Sequence, residues 1–267
     1  MANAFLLSPL AIVGASSPTS STVAGAFLNV ANDYAGVIWR SNIGIYGVPS
    51  IDLDLGADFV FDTVMIFGIT GMGAAASATV TVVPDSGGNF ASNTQASGSQ
   101  ALYAGTVMPV SGFGVAILDA PSGVTGRNRR VRLIFNSGAG DFIQISRIVV
   151  GKKIQLGRNF GFGATFGVRD LGSLDFSARG VLLRRRAKKL RTVALTFSNI
   201  RKDEVEATTK PLLEQIGNTE MVALVTDPSV DAQRQNRCYY GPLVGDLSQA
   251  WRNAAAFEAK VNLVSIF

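Results

Sequence analysis

Three groups of residues in this 267-residue chain have types and spacing able to bind or react. Asp52, Asp54, Asp58 and Asp62 bring carboxylates into one short stretch, the raw material of a cation site. Trp39 and Arg40, with Tyr34 and Tyr46 nearby, combine aromatic faces with polar side chains, as a sugar platform does. Arg184, Arg185, Arg186, Lys188, Lys189 and Arg191 place six cations in eight positions. Such a run can contact phosphates with release of counterions, or pair with acidic residues of a protein partner.

The elements that must position these residues change each reading. A calcium loop needs a glycine-bent turn with oxygen ligands at set positions and a late bidentate glutamate. Here Leu53 and Leu55 alternate with Asp52 and Asp54, and no glutamate follows, so the aspartates read as the solvent face of a strand and no metal is expected. Trp39 reads as a core residue packed across a sandwich, or as part of the platform. The basic run reads as a contact between subunits, or as a strand or hairpin edge where Lys and Arg block unwanted pairing. No aromatic platform interleaves it and no nucleic-acid motif surrounds it, so nucleic acid is not an expected partner.

Several classes of chemistry are excluded by composition. The chain has no histidine, and Cys238 is its one cysteine. A Ser-His-Asp or Cys-His triad, an intrachain disulfide and a thiolate metal cluster are therefore impossible. Carboxylate-pair hydrolysis stays formally open, but no carboxylate pair stands in a recognisable setting, so no enzymatic activity and no cofactor are expected. Gly157-Arg158-Asn159-Phe160-Gly161-Phe162-Gly163 lacks both the G-x-G-x-x-G spacing and a Walker lysine, and reads as a connector. Hydrophobic residues make up 47% and charged residues 16%. That balance fits either surface buried between subunits or a simple Gly/Ala-rich β-protein. The apolar stretch at residues 4–15 is too short to span a bilayer, and no Lys or Arg precedes Arg40. It reads as an extended arm or first strand, with no membrane insertion expected, and is a second candidate interface.

Charge divides unevenly. Residues 1–150 hold six basic and eight acidic side chains, and residues 151–267 hold eighteen and eleven. Two domains explain this better than one uniform surface. Period-two alternation marks strands at Ile51–Gly56, in the segment leading to Val64–Phe67, at Arg130–Phe135 and at 142–150; Thr79–Val83 and Val115–Leu118 are further strand candidates ended by turn signals, and residues 87–98 read as an exposed loop. The later chain predicts a strand at 193–197, a helix from Lys202 to Ile216 stopped by Gly217-Asn218, a strand at 221–225 and a terminal strand from Ala256. Pro211 is the weak point of that helix. The expected fold is mainly β: a sandwich of jelly-roll type followed by a smaller α+β domain. The expected segments are 1–19 (arm), 20–156 (sandwich), 157–180 (Gly/Phe-rich connector) and 181–267 (α+β).

The order of Trp39, Ile51–Gly56, the 64–67 and 79–83 strands, and Arg130–Phe135 followed by Gln144–Gly151 resembles the galactose-binding, or discoidin-like, β-sandwich family. That resemblance implies a display scaffold, whose members often bind carbohydrate through loops at one end. The whole arrangement resembles minor tail and baseplate proteins of long-tailed bacteriophages. There, a sandwich module is joined to a domain related to the tail-tube building block. The second half resembles such a block, although the sandwich-first order differs from the common distal tail protein. The resemblance implies a virion structural protein, assembled in the host cytoplasm. It would form a homo-oligomeric ring, a trimer or hexamer, and dock neighbouring tail proteins. The alternative is a module recognising bacterial surface polysaccharide.

Overall fold

The computed structural model describes every residue except 1–2, 18–21, 44–47, 84–89, 91–93, 122–127, 139, 246–247 and 254–255. Tyr46 and most of the expected loop at 87–98 lie outside the described residues. The chain forms two compact units: Met1–Gln155 with Ala223–Cys238, and Leu156–Val222 with Tyr239–Phe267.

The first unit is a mainly β, sandwich-type structure. Its short leading strands are β1 (Phe5–Leu7), β2 (Gly14–Ser16), β3 (Thr22–Ala24) and β4 (Trp39–Asn42). Next come β5 (Ser50–Phe59), β6 (Thr63–Ile69), β7 (Ser77–Val83), β8 (Gln95–Ala96), β9 (Gln100–Ala101) and β10 (Gly114–Asp119). The unit's long stretch closes with β11 (Asn128–Asn136), β12 (Phe142–Ile145), β13 (Arg147–Gly151) and β14 (Lys153–Gln155). One layer runs β2-β5-β11-β7-β8, and the other strands include β10-β6-β13 and β12-β4-β3. The early and late strands pair directly: β5 and β11 are antiparallel neighbours, with Leu133 opposite Ile51 and Arg132 opposite Asp52.

Alternation explains the core. Ile51, Leu53 and Leu55 of β5 and Val131, Leu133 and Phe135 of β11 point inward and are fully or almost fully buried. The facing strands add Val64, Ile66, Ile69, Ala116, Leu118, Ile148 and Val150 to the same cluster. Burying each such large side chain contributes roughly 1.5–3 kcal/mol. The 142–150 segment is two strands. It breaks at Ser146, whose N–H donates to the Phe67 carbonyl, and β12 pairs with β4 while β13 pairs with β6. Sheet switching of this kind occurs at sandwich corners. The N-terminal residues are strands too. Phe5 and Leu7 of β1 are buried, and β1 pairs with β14.

The second unit contains β15 (Thr165–Asp170), β16 (Ser173–Phe176), β17 (Leu182–Arg185) and β18 (Lys189–Arg201). A helical stretch follows: α1 (Lys202–Glu204), a π turn (Val205–Thr209) and α2 (Lys210–Ile216). Pro211 explains the π turn, because it has no N–H to donate and its ring crowds the preceding turn. β19 (Met221–Val225) then passes into the first unit at Ala223, and the chain returns to the second unit at Tyr239 within β20 (Cys238–Pro242), followed by β21 (Gln249–Asn253) and β22 (Ala256–Val264). The main sheet of this unit runs β15-β18-β22-β21. β16 and β17 form a separate two-stranded ribbon.

The expected segment boundaries are corrected in two places. Residues 157–180 are no mere connector, since they supply all of β15 and β16. Glycines at 157, 161, 163 and 167 hide the alternation of Phe166, Val168 and Asp170. Residues 223–238, expected in the C-terminal domain, belong to the first unit. No helix among the described residues is long and apolar enough to cross a membrane.

Candidate functional site

Of the two readings of Trp39, the structure takes the core position and not the sugar platform. Trp39 is fully buried in the sandwich core, tilted against Phe27 at 5.9 Å between ring centroids. A ring with no exposed face cannot stack on a sugar. Arg40 lies on the neighbouring Phe142 ring, 3.7 Å from its centroid. Tyr34 is 74% exposed.

The aspartate cluster resolves into cross-strand ion pairs. Asp52 accepts two hydrogen bonds from Arg132, both 2.6 Å, and Asp54 accepts two from Arg129, at 2.7 and 3.0 Å. These bidentate contacts tie β5 to β11 on the outer face of the sheet. Arg129 holds the Asp54 carboxyl below its usual range; burial opposes this, and the Gly56 N–H assists it. Among the described residues no group of acidic, histidine or cysteine side chains is arranged to hold a metal ion.

A cleft of about 620 Å³ opens in the first unit, beside β10. Sequence reading singled out none of its residues. Tyr103 forms part of its wall and donates to the Met72 carbonyl at 3.1 Å. Burial pushes the Tyr103 phenol up, so it stays protonated at neutral pH. Gly114 makes room for this ring, because a Cβ there would lie 2.3 Å from Tyr103 Cε1. Gln100 fixes the adjoining loop by exchanging two 2.8 Å hydrogen bonds with the backbone of Asp119.

The opposite wall comes from far along the chain. Buried Gln235 accepts from the Val115 N–H at 2.9 Å and donates to the Gly105 carbonyl. It therefore pins the 234–237 turn to β10 and to the loop before it. Arg237 bridges Asp227 and Asp231, at 3.0 and 2.7 Å. Burial raises the Asp227 carboxyl, but hydrogen bonds from Ser229 and the charge of Arg237 outweigh it, leaving it lowered. Arg234 lines the cleft, and its Nε is buried without a hydrogen-bond partner. An unsatisfied buried donor is costly, and an acceptor on a ligand would relieve it. An aromatic face, thioether and aliphatic surface, and a few fixed polar groups suit a small ligand with one apolar face. The signal in sequence was faint: Tyr103, Asp231 and Arg234 lie too far apart to suggest one site.

In the second unit, the basic run lies on an exposed arm. Residues 165–189 are exposed at every position except the half-buried Gly172 and Ser177. β16 and β17 pair Leu174 with Arg184 and Phe176 with Leu182, joined through a turn in which Gly180 has φ +76°. Arg184 and Arg185 end β17, while Lys189 and Arg191 begin β18. Lys188 donates to the Ile266 carbonyl at 2.6 Å, and Arg191 sits 4.6 Å from the Tyr239 ring centroid. None of the salt bridges among the described residues involves Arg184, Arg185 or Arg186. Phe160 packs edge-on to Phe197 at 6.2 Å, which anchors the base of the arm.

Apolar side chains crowd the arm as well. Phe162, Phe166, Val168, Leu171, Leu174, Phe176, Val181, Leu182 and Leu183 are all at least 49% exposed. They are nine of the nineteen exposed large hydrophobic residues among those described, within 22 positions. The arm from 165 to 189 carries seven basic and two acidic residues, so its net +5 equals that of the whole chain.

No family model matches the sequence, and no curated protein matches it. Solved structures similar to part of the chain include carbohydrate-binding modules. Chitosan-binding module 1 of a Paenibacillus sp. IK-5 chitosanase/glucanase is 16% identical, over 53% of this chain and 97% of that one, with a TM-score of 0.39. The family 32 module of Clostridium perfringens NanJ, solved with galactose, is 11% identical over 55% and 98%, with a TM-score of 0.39. Similarity to SpGH29 covers only 28% of that chain, at 15% identity and a TM-score of 0.38. At such scores these likenesses carry no information on what this chain binds.

Proposed function

We propose that this chain is a non-catalytic structural subunit that assembles with copies of itself, of the kind that the sequence resemblance places in a phage tail tip or baseplate. The arm carries this reading. An arm with nine exposed large apolar side chains, tied to the main sheet of its unit through β15 alone while its β16–β17 ribbon pairs with no other strand among the described residues, is out of place on a monomer. With each side chain half exposed or more, its area is on the order of the 800 Å² per partner that a stable interface buries. Concentration of the whole net charge in the arm adds specificity and salt sensitivity to the contact. In a virion such a subunit would form a ring and dock neighbouring tail proteins.

Light scattering on a sizing column tests this. The expected result is a discrete oligomer for the unmodified protein, shifting to monomer for Leu174→Asp/Phe176→Asp. A monomer at every concentration and salt level would sink the reading.

A second reading, carbohydrate recognition, is favoured by the cleft beside β10. Tyr103 offers an aromatic wall, and the unpartnered Arg234 Nε offers a donor for a hydroxyl. On a glycan array, a bound sugar whose affinity falls at least tenfold with Arg234→Ala supports it; an array without any binder removes it. The two readings concern different units and are compatible.

A further inference from the structure

We propose that the arm of one copy seats in a groove of the next copy's second unit, between its helical stretch and β21–β22, so that the interface is head-to-tail. This rests on the assembly reading and names the two surfaces involved.

The groove has a volume of about 470 Å³ and an apolar floor of Val205, Leu213 and Phe257. Glu206, Glu214 and Lys210 also line it, two carboxylates against one ammonium. Each carboxylate has only a distant lysine partner on its own helix, Lys202 at 3.7 Å and Lys210 at 3.9 Å, beyond hydrogen-bond range. Gln249 lines the groove, and its Nε2 is buried with no hydrogen-bond partner. Beside it, Trp251 is 64% exposed and stacks on Phe257, with centroids 5.5 Å apart and planes 9° from parallel. Exposed Trp next to an apolar slot is the residue type that anchors protein interfaces.

The arm has the complementary chemistry. Cross-strand pairing sets Leu174, Phe176 and Leu182 on one face of the β16–β17 ribbon, with Arg184 beside Leu174. That face offers an apolar ridge for the floor and a guanidinium for the carboxylates. The ribbon pairs with no other strand among the described residues, so its edges present backbone carbonyls able to accept from Gln249. Arm and groove are different surfaces of one chain, so their contact is heterologous and repeats from copy to copy. It closes into a ring if the rotation closes.

Mixing two blocked variants tests the proposal. One carries Leu174→Asp and Phe176→Asp on the arm. The other carries Glu206→Arg and Glu214→Arg, exposed positions whose exchange leaves the floor intact; Leu213→Arg serves as an independent second block. The unmodified protein is expected to form a multimer and each variant alone to be monomeric. An equimolar mixture is then expected to stop at a 1:1 dimer, since only one arm and one groove remain usable. Adding Arg184→Glu to the Glu206→Arg/Glu214→Arg chain should recover at least tenfold in apparent dissociation constant. If groove variants keep the unmodified mass while the arm variant dissociates, the groove is refuted and the assembly reading stands. If the unmodified protein is monomeric, both fall.

Discussion

At the scale of single residues, Asp52, Asp54 and Trp39 hold the sandwich together. Asp52 and Asp54 face outward on β5, where Arg132 and Arg129 meet them in bidentate pairs. Both pairs are partly exposed and screened by solvent, so each adds only modestly to stability. Asp54 titrates below its ordinary value when folded, so its contribution is complete at neutral pH. It is lost as pH falls below about 4, through the folded pKa. Arg129→Gln should return the Asp54 titration toward the ordinary carboxylate value, which NMR of the carboxyl carbon would read. An unmoved titration would show that the pair does not exist in solution. Trp39 belongs to the core, and Trp39→Ala should cost about 3–5 kcal/mol in denaturant unfolding. The alternation around these residues was legible in sequence. Which aspartate meets which arginine depends on register across β5 and β11, and no local signal carries that.

Among the elements, the long strands were legible because one buried face imposes period two on Ile51, Leu53 and Leu55 and on Val131, Leu133 and Phe135. The break at Ser146 was not, since Phe142 to Val150 alternates and then runs apolar without a turn signal. β18 extends further than the five-residue strand expected and carries a bulge between Phe197 and Ile200. Asn199 in the bulge has φ +57°, the left-handed region that asparagine and glycine tolerate. Asn199→Gly should leave the thermal midpoint nearly unchanged, whereas Asn199→Val should destabilise by about 1–3 kcal/mol. Equal midpoints for the two variants would show that the bulge is not held in solution.

For the whole molecule, the organising fact is that the charge and the uncovered apolar surface coincide on one arm. The arm's residues bury little within their own unit, so Leu174→Asp/Phe176→Asp should leave the folding cooperativity of the monomer intact while shifting its mass. Circular dichroism melts of both proteins, at a dilution where light scattering reads the unmodified protein as a monomer, should agree within about 2 °C; a larger loss would mean that the arm packs on its own unit. Raising salt should weaken assembly, because the Debye length falls to roughly 3 Å at 1 M. The apolar ridge should keep some association even then. The cleft and the helix groove also belong to this scale, since each is built from residues that the chain brings together from distant positions.

The sequence by itself determined the β-rich class, the buried faces, the absence of histidine-dependent chemistry and the position of the basic run. Those follow from composition and from period, which are local properties. Only the tertiary structure decided that Trp39 is enclosed, that residues 223–238 join the first unit and that Tyr103 meets Arg234 across a cleft. Only it decided, too, that the glycine-rich segment is half of an uncovered arm. These depend on which strands pair and which faces find a cover, and pairing partners separated by a hundred residues leave no mark on the periodicity of either one.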